Sequence, residues 1–285
     1  MTDRVAFLGF GSAAQALCSA LTLAVPARAF DKRTKDAKTR EEKLDEFQKF
    51  GVDWFESPSE AVHGSDFVVS LVSPEEAIIC AHDVVRSVAP DSWYFDLNSV
   101  SPKSKKASAR ELEMAGVKYV DVAVTSALEE NSLSTSLLVS GPQAGEATEV
   151  LSKLGFKNVK VVGNEIGNAA AIQMVRDIYI LGSEAIMAEC LFAAHTAGNL
   201  DEVIQSFGAD WSSQAERTLD RMVGHGARGA DVLTEVCAMM YEIGINPYNS
   251  LSTAMRQREV GGIDVLSGAK TLREKLSAIR SKKGI

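Results

Sequence analysis

The residues best suited to chemistry fall into two groups, and the first is a glycine-rich turn near the N-terminus. It reads Gly9-Phe10-Gly11-Ser12-Ala13-Ala14 and follows a short apolar run that begins at Arg4. The first glycine permits a tight turn, the second lets a pyrophosphate approach the backbone, and a small residue at Ala14 lets the next helix pack on the strand. The free N–H groups at the start of that helix attract phosphate. The motif predicts a dinucleotide site formed by these six residues.

An acid follows the second strand at the distance expected for such a site. Ala27 to Phe30 reads as a strand that ends at Asp31, about 20 residues after the motif, where an acid accepts ribose hydroxyls. Asp31 would repel a 2′-phosphate and favours NAD, whereas Lys32 and Arg33 could bind that phosphate in NADP. A solvated loop is the other interpretation of the two cations, and Lys35 to Lys43 reads as a solvated helix. We therefore expect NAD or NADP, with a slight preference for NAD.

The second group is a polar stripe in an apolar segment, Gly163 to Gly198. Gln173, Arg176, Asp177 and Glu184 recur at helical spacing and so share one face. A helix of ~30 residues would be ~45 Å long. We expect it to join two domains and to turn the stripe towards the cleft between them. A core helix with a row of structural ion pairs is the alternative.

The elements around these residues alternate between strands and helices, which predicts a parallel, doubly wound α/β sheet. Ligands of such sheets bind beyond the carboxyl ends of the strands. Ser73 and Asn98 follow two further apolar strands and are cofactor-binding candidates, although loop capping would also explain them. After Gly198 the pattern is helical throughout, and the stretch from His225 to Gly229 is expected to break two helices. We predict a Rossmann domain over residues 1–163 and an all-α domain over 164–285, joined by the long helix.

Composition limits the classes of partner. The chain has 285 residues, 46% hydrophobic and 24% charged, and a net charge of −8, which argues against nucleic acid or an anionic membrane as a main partner. No signal peptide is expected. The four cysteines show no paired spacing and are expected to be thiols of a reducing cytoplasm. The histidines are equally dispersed, so no metal site is predicted.

Taken together, these residues resemble the β-hydroxyacid dehydrogenase family, which includes 3-hydroxyisobutyrate and 6-phosphogluconate dehydrogenases. The resemblance covers most of the chain and is strongest to a branch of phosphogluconate-dehydrogenase-like NAD(P)-binding proteins. The family's glycine motif matches Gly9, Gly11 and Ala14. Its substrate loop, D-x-P-V-S-G-G, is similar to the stretch from Asp121 to Ala127, and its inter-domain helix motif is similar to Gly163 to Asp177.

Two departures from the family pattern bear on chemistry. The family's catalytic lysine falls on Gln173 and its asparagine on Asp177. Glutamine has no titratable proton, and general acid–base help is worth roughly 10²–10⁴-fold. Asp177, one turn along, is the candidate replacement for proton transfer, and Arg176 could hold a substrate carboxylate. Ion pairs that fix the helix are the alternative for both residues.

The resemblance implies an NAD(P)-dependent oxidoreductase that moves a hydride to or from a small polar hydroxy acid or its carbonyl form. Thr125 and Ser126 in the loop after a strand, and Arg228, are the substrate-binding candidates. Imine reductases resemble the same fold and also lack the lysine, so C=N reduction is one alternative. A non-catalytic dinucleotide sensor is another. The resemblance further implies a homodimer, and the unpaired cysteines favour a cytoplasmic location.

Overall fold

The computed structural model describes residues 4–21, 23, 25–125, 132–263 and 271–283. The chain divides into two compact units, Met1–Gln173 and Met174–Ile285. The boundary between the units falls inside the long helix.

The described strands are β1 Val5–Leu8, β2 Arg28–Phe30, β3 Asp53–Trp54, β4 Phe67–Ser70, β5 Trp93–Asp96, β6 Lys118–Val124, β7 Ser136–Ser140 and β8 Asn158–Gly163. The helices of the first unit are α1 Ser12–Ala20, α2 Arg40–Lys49, α3 Pro58–Val62, α4 Pro74–Val84, α5 Pro102–Met114 and α6 Ala144–Lys153, with 3₁₀ turns at Lys32–Lys35 and Ser132–Ser134. Helix α7, Asn168–Ala197, crosses the boundary, and α8 Leu200–Phe207, α9 Ala209–Glu242, α10 Tyr248–Val260 and α11 Leu272–Lys283 follow.

The strands form one sheet in the order β3-β2-β1-β4-β5-β6-β7-β8. All neighbouring pairs are parallel except β6 and β7, which pair antiparallel. The strand order reverses between β1 and β4, so the loops after these two strands flank the switch point where ligands of such sheets bind. The predicted α/β fold is confirmed, with the antiparallel β7 as the one departure.

Both faces of the sheet are covered by helices. Side chains alternate along β1, so Phe7 packs with Leu17 of α1 and Phe47 of α2 on one face, whereas Leu8 packs with Val84 of α4 on the other. This alternation is the period-2 pattern of a strand buried on both sides.

Helix α7 is 30 residues long, as the sequence predicted. Its length and hydropathy would also suit a membrane span. Its C-terminal half, however, packs Leu191 and Phe192 in a core with Leu219 of α9 and Leu276 of α11, as in the core helix of a helical domain.

The predicted break at His225 to Gly229 is wrong, because α9 runs through it as one helix of 34 residues. The glycines serve helix packing instead. A Cβ on Gly226 would lie 2.4 Å from the carbonyl oxygen of Gln257 in α10, and one on Gly261 would lie 2.3 Å from the backbone nitrogen of Ala227. Glycine is therefore needed here for the close approach of two helices and not for a turn.

Candidate cofactor and active site

The glycine turn lies between β1 and α1 and has the expected local geometry. Gly9 has a φ of +81°, and a Cβ there would lie 2.5 Å from the carbonyl oxygen of Leu71, so both conformation and space require glycine. Gly11 is the N-cap of α1, and a Cβ built on it would meet no atom of the described residues within 4 Å. Phe10 is fully buried. The backbone at Gly11 is thus open to a ligand, as the motif predicts.

The next three residues form the first turn of α1. Ser12 is exposed, Ala13 is half-buried and Ala14 is fully buried in the core against the sheet. The helix N-terminus therefore presents its N–H groups beside Ser12, while Ala14 allows the close helix–strand packing that the motif requires.

Asp31 lies at the carboxyl end of β2 and braces the glycine turn. Its Oδ2 accepts a hydrogen bond from the Phe10 N–H at 2.8 Å, and its Oδ1 accepts one from the Arg33 N–H at 2.9 Å. Lys43 of α2 lies 3.6 Å from the same carboxylate. Asp31 therefore positions the turn, and a carboxylate has acceptor capacity left for a ligand hydroxyl.

Lys43 contradicts the predicted solvated helix, because its side chain is fully buried. Its Nζ donates to the carbonyl oxygen of Phe10 at 2.8 Å and pairs with Glu46. Gln15 of α1 also donates to Glu46, at 2.7 Å. This buried polar cluster holds α1, α2 and the glycine turn together.

A cavity of about 250 Å³ opens beside the turn at the switch point. Its lining includes six of the predicted cofactor-binding residues, Gly9, Gly11, Asp31, Lys32, Arg33 and Ser73. The backbone N–H groups of a glycine turn and a helix N-terminus can donate to a pyrophosphate, and the acid at the end of β2 can accept from ribose hydroxyls. These residues therefore fit NAD or NADP.

Lys32, which lines this cavity, forms ion pairs with two carboxylates of α4. Lys32 Nζ lies 2.8 Å from Glu75, 3.2 Å from Glu76 and 3.4 Å from the hydroxyl of Ser73. Burial alone would lower the pKa of Lys32, but its hydrogen bonds to Glu75 and Glu76 outweigh burial and raise that pKa above its ordinary value. Lys32 is therefore charged at neutral pH.

Asn98 lies at the same edge of the sheet but acts within the protein. Its Nδ2 donates to the hydroxyl of Ser70 at 2.9 Å, and its Oδ1 accepts the N–H of Val72 at 2.7 Å. The side chain is 2% exposed. In this structure Asn98 fixes the loop after β4 that lines the cavity.

A second constellation surrounds the start of α7. Asp121 of β6 accepts hydrogen bonds through Oδ2 from the hydroxyl of Ser140 at 2.8 Å and from the N–H groups of Gly167 and Ala170 at 3.0 and 3.1 Å. The Ser140 hydroxyl accepts the N–H of Ala169 at 3.0 Å. Two side chains from the sheet thus satisfy the N–H groups that a helix start leaves unpaired.

A buried cation joins this cap to the neighbouring strand. Lys105 of α5 donates to the carbonyl oxygen of Asp96 at 2.6 Å and to its Oδ1 at 2.9 Å. Its Nζ lies 3.4 Å from Asp121 Oδ1, a contact at ion-pair distance without hydrogen-bond geometry. Tyr119 donates to Asp96 at 2.6 Å. Burial, then the charges of Asp96 and Asp121, raise the Tyr119 pKa well above its ordinary value, so it remains a donor.

Gln173 lies one turn into α7 from this cap. Its Nε2 donates to the hydroxyl of Ser99 at 3.0 Å, and Ser99 belongs to the loop at the carboxyl end of β5. The predicted chemical position is thus brought to the ligand-binding edge of the sheet. The sequence prediction did not include Ser99.

The other predicted residues are distributed as follows. Arg176 is exposed and Asp177 half-buried, both in the part of α7 that belongs to the second unit. Thr125 directly follows β6, and its hydroxyl donates to the carbonyl oxygen of Ser136 at 3.1 Å. Arg228 is exposed on α9. Ser126 lies outside the described residues.

Glu184, the fourth residue of the predicted stripe, is buried within the second unit. Its carboxylate accepts from Arg221 Nε at 2.5 Å and from Gln257 Nε2 at 2.9 Å. Glu184 therefore ties α7 to α9 and α10. Among the residues that the structure describes, no cluster of His, Cys, Asp and Glu could hold a metal ion.

Solved structures with this fold include proteins of several activities. A conserved hypothetical protein from Sinorhizobium meliloti is 26% identical, with 99% of this chain and 97% of that chain covered and a TM-score of 0.68. The 3-hydroxyisobutyrate dehydrogenase of Mycobacterium tuberculosis, solved with L-serine, is 18% identical, with 99% and 100% covered and a TM-score of 0.69. The imine reductase of Myxococcus stipitatus in complex with NADP⁺ is 17% identical, with 99% and 100% covered and a TM-score of 0.58.

The family follows from the sequence match over the first unit. Residues 4–163, more than half of the chain, match the NAD binding domain of 6-phosphogluconate dehydrogenase. This match covers the glycine turn, the switch point and all eight described strands. It confirms the resemblance to the β-hydroxyacid dehydrogenases and the expectation of NAD or NADP. The chain belongs to the family of the 6-phosphogluconate dehydrogenase NAD binding domain and is an NAD(P)-dependent dehydrogenase or reductase.

Proposed function

We propose that the protein transfers a hydride between NAD(P) and a small polar hydroxy acid or its carbonyl form, with Gln173 at the position of the family's catalytic lysine. The observation that carries the proposal is the hydrogen bond from the Gln173 amide to the Ser99 hydroxyl at the carboxyl edge of the sheet. This edge also carries the glycine turn and its cavity. The cofactor, when bound, supplies or accepts the hydride.

The side chains have separate tasks in this proposal. Gln173 and Ser99 orient the oxygen of the reacting carbon by hydrogen bonds, because neither holds a titratable proton at neutral pH. Asp177 lies one turn further along α7 and moves the proton. Arg176 holds a substrate carboxylate through a bidentate ion pair. Thr125, Ser126 and Arg228 stay the substrate-binding candidates that the sequence predicts.

Reduction of an iminium is the second candidate, and the identity of residue 173 favours it. Delivery of a hydride to a protonated C=N bond leaves a neutral amine, so the enzyme need not deliver a proton at that step. A glutamine that orients the substrate without supplying a proton suits this reaction better than reduction of a carbonyl. The likeness in fold to an imine reductase supports this candidate.

We further propose a cytoplasmic homodimer. The second unit exposes large apolar side chains on three helices, Tyr179 and Ile186 of α7, Tyr241 of α9, and Tyr248 and Met255 of α10. Exposed apolar surface of this extent marks interfaces, and a second copy would cover it. Sedimentation of a monomer at micromolar concentration would refute this assignment.

The test of the activity begins with cofactor binding. NADH and NADPH fluorescence titrations are followed by a turnover screen of hydroxy acids, aldehydes and cyclic imines. Gln173→Leu removes the amide at similar volume and should lower turnover at least tenfold without changing the cofactor Kd. Gln173→Lys restores an ionisable group and should raise carbonyl turnover, within the 10²–10⁴-fold range of acid–base help.

The controls separate the roles. Asp177→Asn should remove one limb of the pH–rate profile, whereas an unchanged profile would exclude Asp177 as the proton-transfer group. Turnover that survives Gln173→Leu intact would exclude Gln173. Cofactor binding with no turnover on any substrate class would exclude both proposed reactions and favour a dinucleotide sensor.

A further inference from the structure

The cavity at the switch point contains two cations, and both are already paired. Lys32 contacts Glu75 and Glu76 at 2.8 and 3.2 Å. Arg33 lies 2.8 Å from Glu42 and 3.6 Å from Glu46. A cation that is free at the end of β2 could bind the 2′-phosphate of NADP. Here each such cation faces two carboxylates.

The carboxylates that neutralise Lys32 come from a different element. Glu75 and Glu76 lie in the first turn of α4, after the N-cap Ser73 and Pro74. Acids are favourable at a helix N-terminus because they complement the helix dipole. Helix α4 follows β4, whereas Lys32 follows β2. The start of α4 therefore adds negative charge to the cavity next to Lys32.

The charge of the lining is negative in total. Asp31, Glu76 and Asp83 contribute three negative charges, and Lys32 and Arg33 contribute two positive charges. A 2′-phosphate brings a further charge of about −1.5 to −2, whereas a 2′-hydroxyl brings none. Exposed ion pairs are individually weak, so Glu75 and Glu76 oppose the phosphate through their summed negative charge, which offsets the charge of Lys32.

We infer that Glu75 and Glu76 determine the cofactor preference: they neutralise Lys32, so that the cavity takes NAD(H) in preference to NADP(H). The inference rests on the cofactor site described above and extends it to two acids that lie outside the glycine motif and outside the acid at the end of β2. Glu76 lines the cavity and Glu75 approaches Lys32 most closely, so both contribute.

The test compares the Kd of NADH and NADPH by nicotinamide fluorescence in low-salt buffer. The wild-type ratio of Kd for NADPH to Kd for NADH is expected to exceed about 10. The double variant Glu75→Gln/Glu76→Gln keeps shape and hydrogen bonding while removing two charges, and it should lower the ratio at least tenfold. Most of the change should appear in the Kd of NADPH, and 0.5 M salt should reduce it because salt screens exposed charges.

A matched control and a reversal make the test specific. Glu56→Gln removes a charge of the same sign from the neighbouring pairs with Lys35 and Arg40 and should leave the ratio within twofold. The double variant leaves Lys32 without its two carboxylates. Adding Lys32→Gln removes this unpaired cation and should return the ratio towards the wild-type value.

The outcomes are distinct. A ratio that does not respond to the double variant would overturn the inference, as would an equal response to Glu56→Gln. A wild-type ratio below 1 would also overturn it. Failure of both cofactors to bind to the folded wild-type protein would instead overturn the cofactor site itself and the proposed function with it.

Discussion

Replacement of Lys105 by methionine tests whether the buried charge cluster stabilises the sheet. Lys105 is fully buried, and its Nζ lies 2.9 Å from Asp96 Oδ1 and 3.4 Å from Asp121 Oδ1. Methionine fills a similar volume but leaves two carboxylates at 1% and 0% exposure without their cation. Removing one partner of a buried ion pair costs about 3–5 kcal/mol. We expect Lys105→Met to lower the free energy of unfolding of the first unit by that amount.

The assay must report the first unit alone. In a Trp211→Phe background the remaining tryptophans are Trp54 and Trp93, both in the sheet of the first unit, so urea unfolding followed by tryptophan fluorescence reports that unit. Lys35→Met is the control, since Lys35 Nζ lies 2.9 Å from Glu56 and both side chains are about half exposed. Exposed pairs contribute about 0–1 kcal/mol, and the control should lose no more.

A double-mutant cycle identifies the cause. Asp121→Asn retains an oxygen that can accept from Ser140, Gly167 and Ala170, and it removes one uncompensated charge in the Lys105→Met background. The two changes should therefore be less destabilising together than their sum, with a coupling of about 1–3 kcal/mol. A loss for Lys105→Met no larger than for Lys35→Met, or additive effects, would refute the reasoning.

Three further predictions concern single positions. Gly226→Ala should lower the thermal midpoint of the second unit because its Cβ would lie 2.4 Å from the carbonyl oxygen of Gln257. Gly224→Ala would meet no atom of the described residues within 4 Å, so it should increase the free energy of unfolding by roughly 0.5–1 kcal/mol. Equal shifts of the midpoint for the two variants in calorimetry would contradict this. Gly11→Ala should weaken NADH binding at least tenfold with an unchanged melting temperature. Gly9→Ala should instead lower the melting temperature, because Gly9 has a φ of +81° and its Cβ would lie 2.5 Å from the carbonyl oxygen of Leu71. Unchanged NADH binding in Gly11→Ala would refute the assignment of this turn to the pyrophosphate. Burial, then the charges of Asp83, Glu76 and Asp96, raise the pKa of Cys80 from 9.0 to about 12, so its thiolate fraction at pH 8 falls about a thousandfold. Alkylation followed by mass spectrometry should therefore show Cys80 protected until the pH approaches 12. Rapid labelling of Cys80 at pH 8 would contradict its burial.

The sequence predicted the parts of the fold that depend on local pattern. The glycine turn carries its signal within six residues and the long helix in one continuous apolar segment, and the structure has both where they were expected. The prediction that His225 to Gly229 breaks a helix is wrong because glycine can serve either a turn or the close packing of two helices. Only the position of α10 shows that Gly226 is needed for close packing.

The buried charges were harder to predict. Asp96 and Asp121 interrupt apolar strands, and an acid in such a strand indicates a buried partner. The identity of that partner was hidden, because Lys103, Lys105 and Lys106 of α5 look alike in sequence and only Lys105 is buried. Lys43 is a similar case in α2. Which lysine of a basic helix faces the core depends on tertiary packing.

The cap on α7 has a consequence for dissecting the protein. Asp121 and Ser140 belong to the sheet, but the N–H groups that they accept belong to Gly167, Ala169 and Ala170. A fragment that stops at residue 163, where β8 ends, would retain the buried carboxylate of Asp121 and lose these backbone donors. A fragment that continues to Gln173 keeps them. The smallest autonomous dinucleotide-binding module of this chain should therefore include the first turns of the helix that follows its last strand.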